Sequence, residues 1–170
     1  MSIAQSMLPE FDHEMASTRK TLERIPEDRL GYKPDPKSMS LGQLAAHIVE
    51  MVGWGTMTLH TESLSMDPGS HTPLVLTSKE QALEEFDKNV HGLRAALSSV
   101  TDAEMMKTWA LTIGGNTIFS MPRVAVMRTM IMNHIIHHRA QLTVYYRMNG
   151  VPVPALYGPS ADENSMTASA

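Results

Sequence analysis

No cysteine occurs anywhere in the 170 residues. Disulfides, thiolate metal sites and a cysteine nucleophile are therefore excluded, leaving imidazole and carboxylate as the main metal ligands. Aromatic rings are scarce too, with three phenylalanines against fifteen methionines. A core short of rings is filled by something else; methionine suits irregular gaps, so a soft helical core is expected, with an adaptable apolar pocket as the rarer use. Positive charge is not in excess either: 14 Lys and Arg face 18 Asp and Glu, a formal net charge of −4. Arg123, Arg128 and Arg139 are scattered, so no basic face exists to neutralise a phosphate backbone, and nucleic acid is not an expected partner. No apolar run approaches the roughly 18 residues of a spanning helix. Residues 1–10 also lack the basic start and apolar core of a signal peptide. A cytoplasmic protein with no membrane partner is the resulting expectation. Apolar residues at 42% and charged ones at 19% give an ordinary globular balance. The length suits one domain over 1–163, followed by a small, polar, frayed tail over 164–170.

Four segments carry helical periodicity. In the first, about Met7 to Arg24, Met7, Phe11, Met15, Thr18 and Leu22 recur at spacings of three and four, and Pro26 stops the helix. The second opens at Ser40-Leu41-Gly42-Gln43, a capping-box pattern, and carries Leu44, His47, Ile48, Met51 and Trp54 on one broad face before ending ahead of Asp67-Pro68-Gly69. Gly53 and Gly55 weaken it locally while permitting close approach of a neighbour. The third follows Ser78-Lys79-Glu80-Gln81, again a capping box, with Ala82, Phe86, Val90, Leu93 and Leu97 as its stripe; Thr101-Asp102-Ala103-Glu104 starts a short extra turn. Around Gly114-Gly115-Asn116 the period changes, which predicts an irregular loop or small hairpin. The fourth and longest helix runs from about Pro122 to Met148 and closes on Gly150. Four long helices imply an all-α, up-down four-helix bundle.

On that last helix the positions 124, 127, 131, 134, 138, 141, 145 and 148 form a three-four seam reading Val, Met, Ile, His, His, Gln, Tyr, Met. Polar groups at mid-seam destabilise a core unless something satisfies them. His134 and His138, one turn apart, are spaced to share a metal ion, and His47 on the inward seam of the second helix is the natural third ligand. Such histidines also occur as satisfied core residues, so spacing alone leaves both readings open. His137 is assigned as a flanking residue; His60 points elsewhere, and His13, His71 and His91 lack partners at ligand spacing. Gln141 is placed to orient a ligand or a bound water. Glu50, one turn after His47, either accepts a ligand N–H or acts as a base, or is simply a solvated charge. Tyr145 and Tyr157 line a pocket or pack with satisfied hydroxyls, and Arg139, off the seam, suits a surface ion pair.

The run His134-Ile135-Ile136-His137-His138-Arg139-Ala140-Gln141 resembles the H-x3-H-R-[GA]-Q signature of the DinB/YfiT-like superfamily, with Ala140 where glycine is common. Leu142, Tyr145, Arg147, Gly150, Pro154, Tyr157-Gly158-Pro159-Ser160 and Asp162-Glu163 extend the likeness downstream, and Met39 to His47 resembles the family's first histidine segment. The resemblance implies a four-helix bundle with His47, His134 and His138 binding one divalent nickel, zinc or iron ion, in a chain that forms homodimers. It also implies chemistry with low-molecular-weight thiols, as in S-transferases and a thiol-dependent isomerase of that superfamily.

Three imidazoles leave coordination positions open, so the first functional expectation is a metal-dependent enzyme that transfers such a thiol to an electrophilic small molecule, with metal-dependent hydrolysis behind it. A non-catalytic, metal-binding stress-response dimer and a helical interaction module with plain core histidines are the competing classes. Gly114-Gly115-Asn116 lacks the lysine and spacing of a phosphate loop, and no serine sits in a nucleophile elbow.

Overall fold

The computed structural model describes residues 2–67, 69 and 71–164. Its first helix, α1 (Ile3–Leu22), begins four residues earlier than the periodicity suggests, because Ser2 and Gln5 form a capping box of their own. Pro9 is carried inside the helix. α2 (Leu41–His60) starts where the sequence places it: Ser40 Oγ accepts the Gln43 N–H at 3.2 Å, and Gln43 Oε1 accepts the Ser40 N–H at 2.8 Å. α3 (Lys79–Ser99) is capped by Ser78, and α4 (Asp102–Met106) is the expected extra turn. The last helical rod comprises α5 (Arg123–Val126), a π-helical segment Met127–Met132, and α6 (Asn133–Met148). It ends in a Schellman arrangement: the Val151 N–H reaches Tyr146 O and the Gly150 N–H reaches Arg147 O.

The four long helices close a ring, α1 packing on α3 and α6, and α2 on the same two. At Gly55 an added Cβ would come within 2.5 Å of Leu93 Cδ2, so α2 and α3 approach there as a small residue permits. Gly53 lacks any such tight contact. One contiguous core fills the ring, and methionine has the part its abundance suggests: Met7, Met15, Met51, Met105, Met127 and Met132 are all buried in it.

The all-α expectation is corrected by a three-stranded sheet. β2 (Thr108–Ile113) and β3 (Asn116–Pro122) form the hairpin, turned by Gly114 and Gly115, whose positive φ values of 57° and 75° suit a two-residue loop with primed-turn twist. β1 (Ser63–Ser65) adds to β2 in parallel, with Leu64 abreast of Leu111. The molecule is thus mostly helical with a small sheet laid beside the end of α2. No helix among the described residues is long and apolar enough to cross a membrane. Residues 165–170, on which most of the expected frayed tail falls, lie outside those described.

The seam expected on the last helix is also shifted. Its buried residues are Arg123, Val126, Met127, Ile131, Met132, Ile135, Arg139, Leu142, Tyr145 and Tyr146. A π turn bonds i to i+5 rather than i+4, adding a residue to the turn and rotating the helix beyond it. His134 and His138 therefore stand beside the core stripe, half-buried, instead of within it.

Candidate metal centre

Three imidazoles meet at the flank where α2 faces α6. His47 projects from α2, nearly two turns into the helix that the Ser40 cap fixes; His134 and His138 project from successive turns of α6. One ring nitrogen from each lies within 4.8 Å of the others, and among the described residues these three make up the group with ligand-like geometry. Ring centroids are 4.5 Å apart for His134 and His138, 4.8 Å for His47 and His138, and 5.2 Å for His47 and His134.

Hydrogen bonds fix two of the tautomers. His138 Nδ1 lies 2.7 Å from Gln141 Oε1, and His134 Nδ1 lies 3.3 Å from the Met130 carbonyl. Both partners are oxygens that accept, so each Nδ1 carries the proton and donates it. The two Nε2 atoms, which face each other at 2.7 Å, are then both left as lone-pair acceptors. Two acceptors at that distance repel unless a cation or proton lies between them. Burial pushes the pKa of all three histidines down: His47 to about 4, assisted by His138 and His134, with His134 and His138 lowered in the same direction. The site therefore resists protonation and presents neutral imidazoles, the form in which histidine binds metal.

Beside the triad opens a cavity of about 330 Å³ whose wall includes His47, Gln43, Glu50, Trp54, Met66 and His71. Glu50 is only 17% exposed, which sets aside the solvated charge. Its Oε1 accepts the Leu74 backbone N–H at 2.8 Å and lies 3.2 Å from His71 Nε2. The carboxylate thus ties the segment between β1 and α3 to α2, and its described partners include no triad imidazole. His71, without a partner at ligand spacing in the sequence, gains one through the fold; a contact between residues 21 positions apart across a loop leaves no local signal. His137 is exposed, with its ring 5.0 Å from that of His138.

Arg139 requires the largest correction. It is 1% exposed and makes no surface ion pair. Its guanidinium pairs with Glu14 Oε2 at 2.7 Å and also donates to Glu14 O, Thr18 Oγ1 and the Tyr157 hydroxyl. The same π-turn rotation that moves the histidines outward carries this residue inward. Tyr157 donates to Glu14 Oε2, and Tyr145 to Met39 O, so both hydroxyls are satisfied. Arg123 is likewise buried, against Glu104 and Thr61 O, so two of the three arginines noted in the sequence are unavailable to an outside anion.

A mostly helical ring carrying a three-histidine cluster and a lateral sheet defines a class of metal-binding-compatible helical proteins. The chain belongs to the DinB family, whose model matches residues 1–167. It is 26% identical over 156 residues to the uncharacterized protein YrdA of Bacillus subtilis (strain 168), a match covering 92% of this chain and 89% of that protein. Its fold is similar to the crystal structure of a DinB-like protein from Bacillus cereus ATCC 10987, with a TM-score of 0.67, 26% identity, and coverage of 90% of this chain and 97% of that one. It is also similar to the DinB-like protein YjoA of Bacillus subtilis, with a TM-score of 0.66, 21% identity, and coverage of 88% and 96%.

Proposed function

We propose that His47, His134 and His138 hold one divalent metal ion, and that the protein uses it to transfer a low-molecular-weight thiol to an electrophilic small molecule. The observation carrying this reading is the pair of Nε2 acceptors at 2.7 Å with His47 beside them, a donor set suited to a cation. Nickel, zinc and iron all fit imidazole donors. Bound there, the ion supplies Lewis acidity and favours the deprotonated form of a coordinated thiol or water near neutral pH.

The chain's own residues supply orientation and access. Gln141 holds the His138 ring and its tautomer through Nδ1, and Met130 O does the same for His134; such partners raise ligand basicity and fix direction. Glu50 stands on the cavity wall as the nearest carboxylate on α2 for receiving a proton, one turn from His47. Three ligands and an adjoining cavity support an open, reactive site over a closed structural one, which would use a fourth protein ligand.

Metal content of protein purified without an affinity tag, wild type beside His134→Ala, tests the reading. About one equivalent of nickel, zinc or iron, lost in the variant, is expected for such a site. Absence of metal as purified, with no uptake of any of these ions on addition, would overturn it. Metal-loaded protein that turns over no thiol and electrophile pair would remove the transferase part alone.

A further inference from the structure

On the His134 side of the triad lies a second, separate space. It is a narrow cleft of about 40 Å³ between α2, the sheet and the π-helical segment, and His134 forms part of its wall. Its floor is a row of three apolar side chains set abreast by strand register: Leu64 on β1 pairs with Leu111 on β2, which pairs with Phe119 on β3. Trp54 closes one side; Met130 and Ile131, consecutive in the π segment, both face in from the other. An α-helical turn seldom offers two successive residues to one space, and π turns of this kind recur at functional sites.

Two of the polar groups around the cleft are occupied elsewhere. Trp109, 4% exposed, donates its Nε1–H to Thr61 Oγ1 at 3.1 Å, and the Thr58 hydroxyl donates to Trp54 O at 2.9 Å. The floor and far wall, Leu64, Leu111, Phe119, Val126, Met130 and Ile131, offer a guest's hydroxyl no nitrogen or oxygen side chain to bond. A water needs roughly 10–15 Å³ on the same measure, so the space admits about two to four carbon atoms in a row.

We propose that this cleft is the specificity subsite of the metal centre, taking the short alkyl arm of a substrate whose polar head lies at His47, His134 and His138. This rests on the triad holding a metal, and the two ideas are separable by experiment. The chain's two tryptophans both line the cleft, so tryptophan emission reports its occupancy directly.

Zinc-loaded full-length protein is titrated with ethanethiol, 1-propanethiol, 1-butanethiol and 2-mercaptoethanol while emission is read. Affinity should rise about fourfold per added methylene, the gain expected from burying each one. 2-Mercaptoethanol, which has a hydroxyl where 1-propanethiol has a methyl, should bind about tenfold more weakly, since its hydroxyl would be buried unpaired. Leu111→Phe, which narrows the cleft from a half-exposed strand position, should flatten the series while zinc stoichiometry stays unchanged. Chain-length-independent binding, or equal affinity for 1-propanethiol and 2-mercaptoethanol in protein that holds its zinc, would overturn the subsite. If zinc does not bind at all, the metal reading has failed, and n-butane on zinc-free protein then decides the cleft. A saturable emission change abolished by Leu111→Phe would sustain an apolar pocket, and no change would overturn it.

Discussion

His138 and Arg139 are neighbours in sequence with opposite assignments in space. The histidine turns to the cavity flank, and the arginine turns into the interior to neutralise Glu14, whose side chain is 7% exposed. Removing one member of a buried pair strands the other, so Arg139→Met should cost about 3–5 kcal/mol in chemical denaturation, and adding Glu14→Gln should recover much of it. Metal stoichiometry should be preserved in both, because neither side chain is a proposed ligand. Gln141 is the converse case. Gln141→Leu leaves the fold stable, since the side chain is exposed, but frees His138 Nδ1. Loss of such a partner lowers metal affinity about 10–100-fold, measurable by competition with a chelator; an unchanged affinity would show that Gln141 has no part in holding the ring.

At the scale of elements, the helix starts were the most readable features, because a cap is a local event. Ser40 with Gln43, and Ser78 ahead of Gln81, announce their helices within four residues, and Ser2 with Gln5 carries the same signal for α1. Ser40→Ala should lower stability by about 0.5–2 kcal/mol, the usual cost of a lost cap. Fraying at that end should also weaken metal binding through His47, a coupling that isothermal titration would detect. The Gly114-Gly115 hairpin was legible from its turn. β1 was not: Ser63-Leu64-Ser65, one apolar residue between two serines, has no period to read, and its strand character comes from pairing with β2. The π segment was equally hidden. Side-chain patterns record which residues are apolar, not whether a backbone N–H bonds four or five residues back, so the one-turn spacing of the histidine pair was legible while its depth was misjudged.

For the whole molecule, the consequence of three histidines with lowered pKa is a pH-dependent stability. In the metal-free protein His47 takes its proton only near pH 4, whereas an unfolded histidine does so near 6.5. Between those values the unfolded chain binds more protons, so stability rises with pH and falls on acidification across that window. Thermal midpoints of metal-free protein should drop from pH 6.5 to pH 4, and His47→Gln should flatten the curve. A midpoint insensitive to pH there would contradict the burial assigned to the site. The triad residues themselves were legible because i,i+4 spacing is a local property, and His47 because helix seams must face one another. His71 and Glu50 meet only through loop closure, which leaves no periodic trace.

The binding of α1 to the distal part of the chain bears on how the protein is made. Glu14 is matched by Arg139 and Tyr157, Lys20 and Arg24 by Glu163, and Arg24 also by Pro152 O. Every one of these partners leaves the ribosome more than a hundred residues after the helix that needs it. During synthesis α1 can dock on α3, with Asp12 meeting Arg94 and Arg19 meeting Asp87, but Glu14, Lys20 and Arg24 wait without these partners until α6 and the segment beyond it emerge. Ring closure is therefore a late, largely all-or-none event, and a nascent chain stalled before Arg139 would present α1 with a bare carboxylate on the face it must bury.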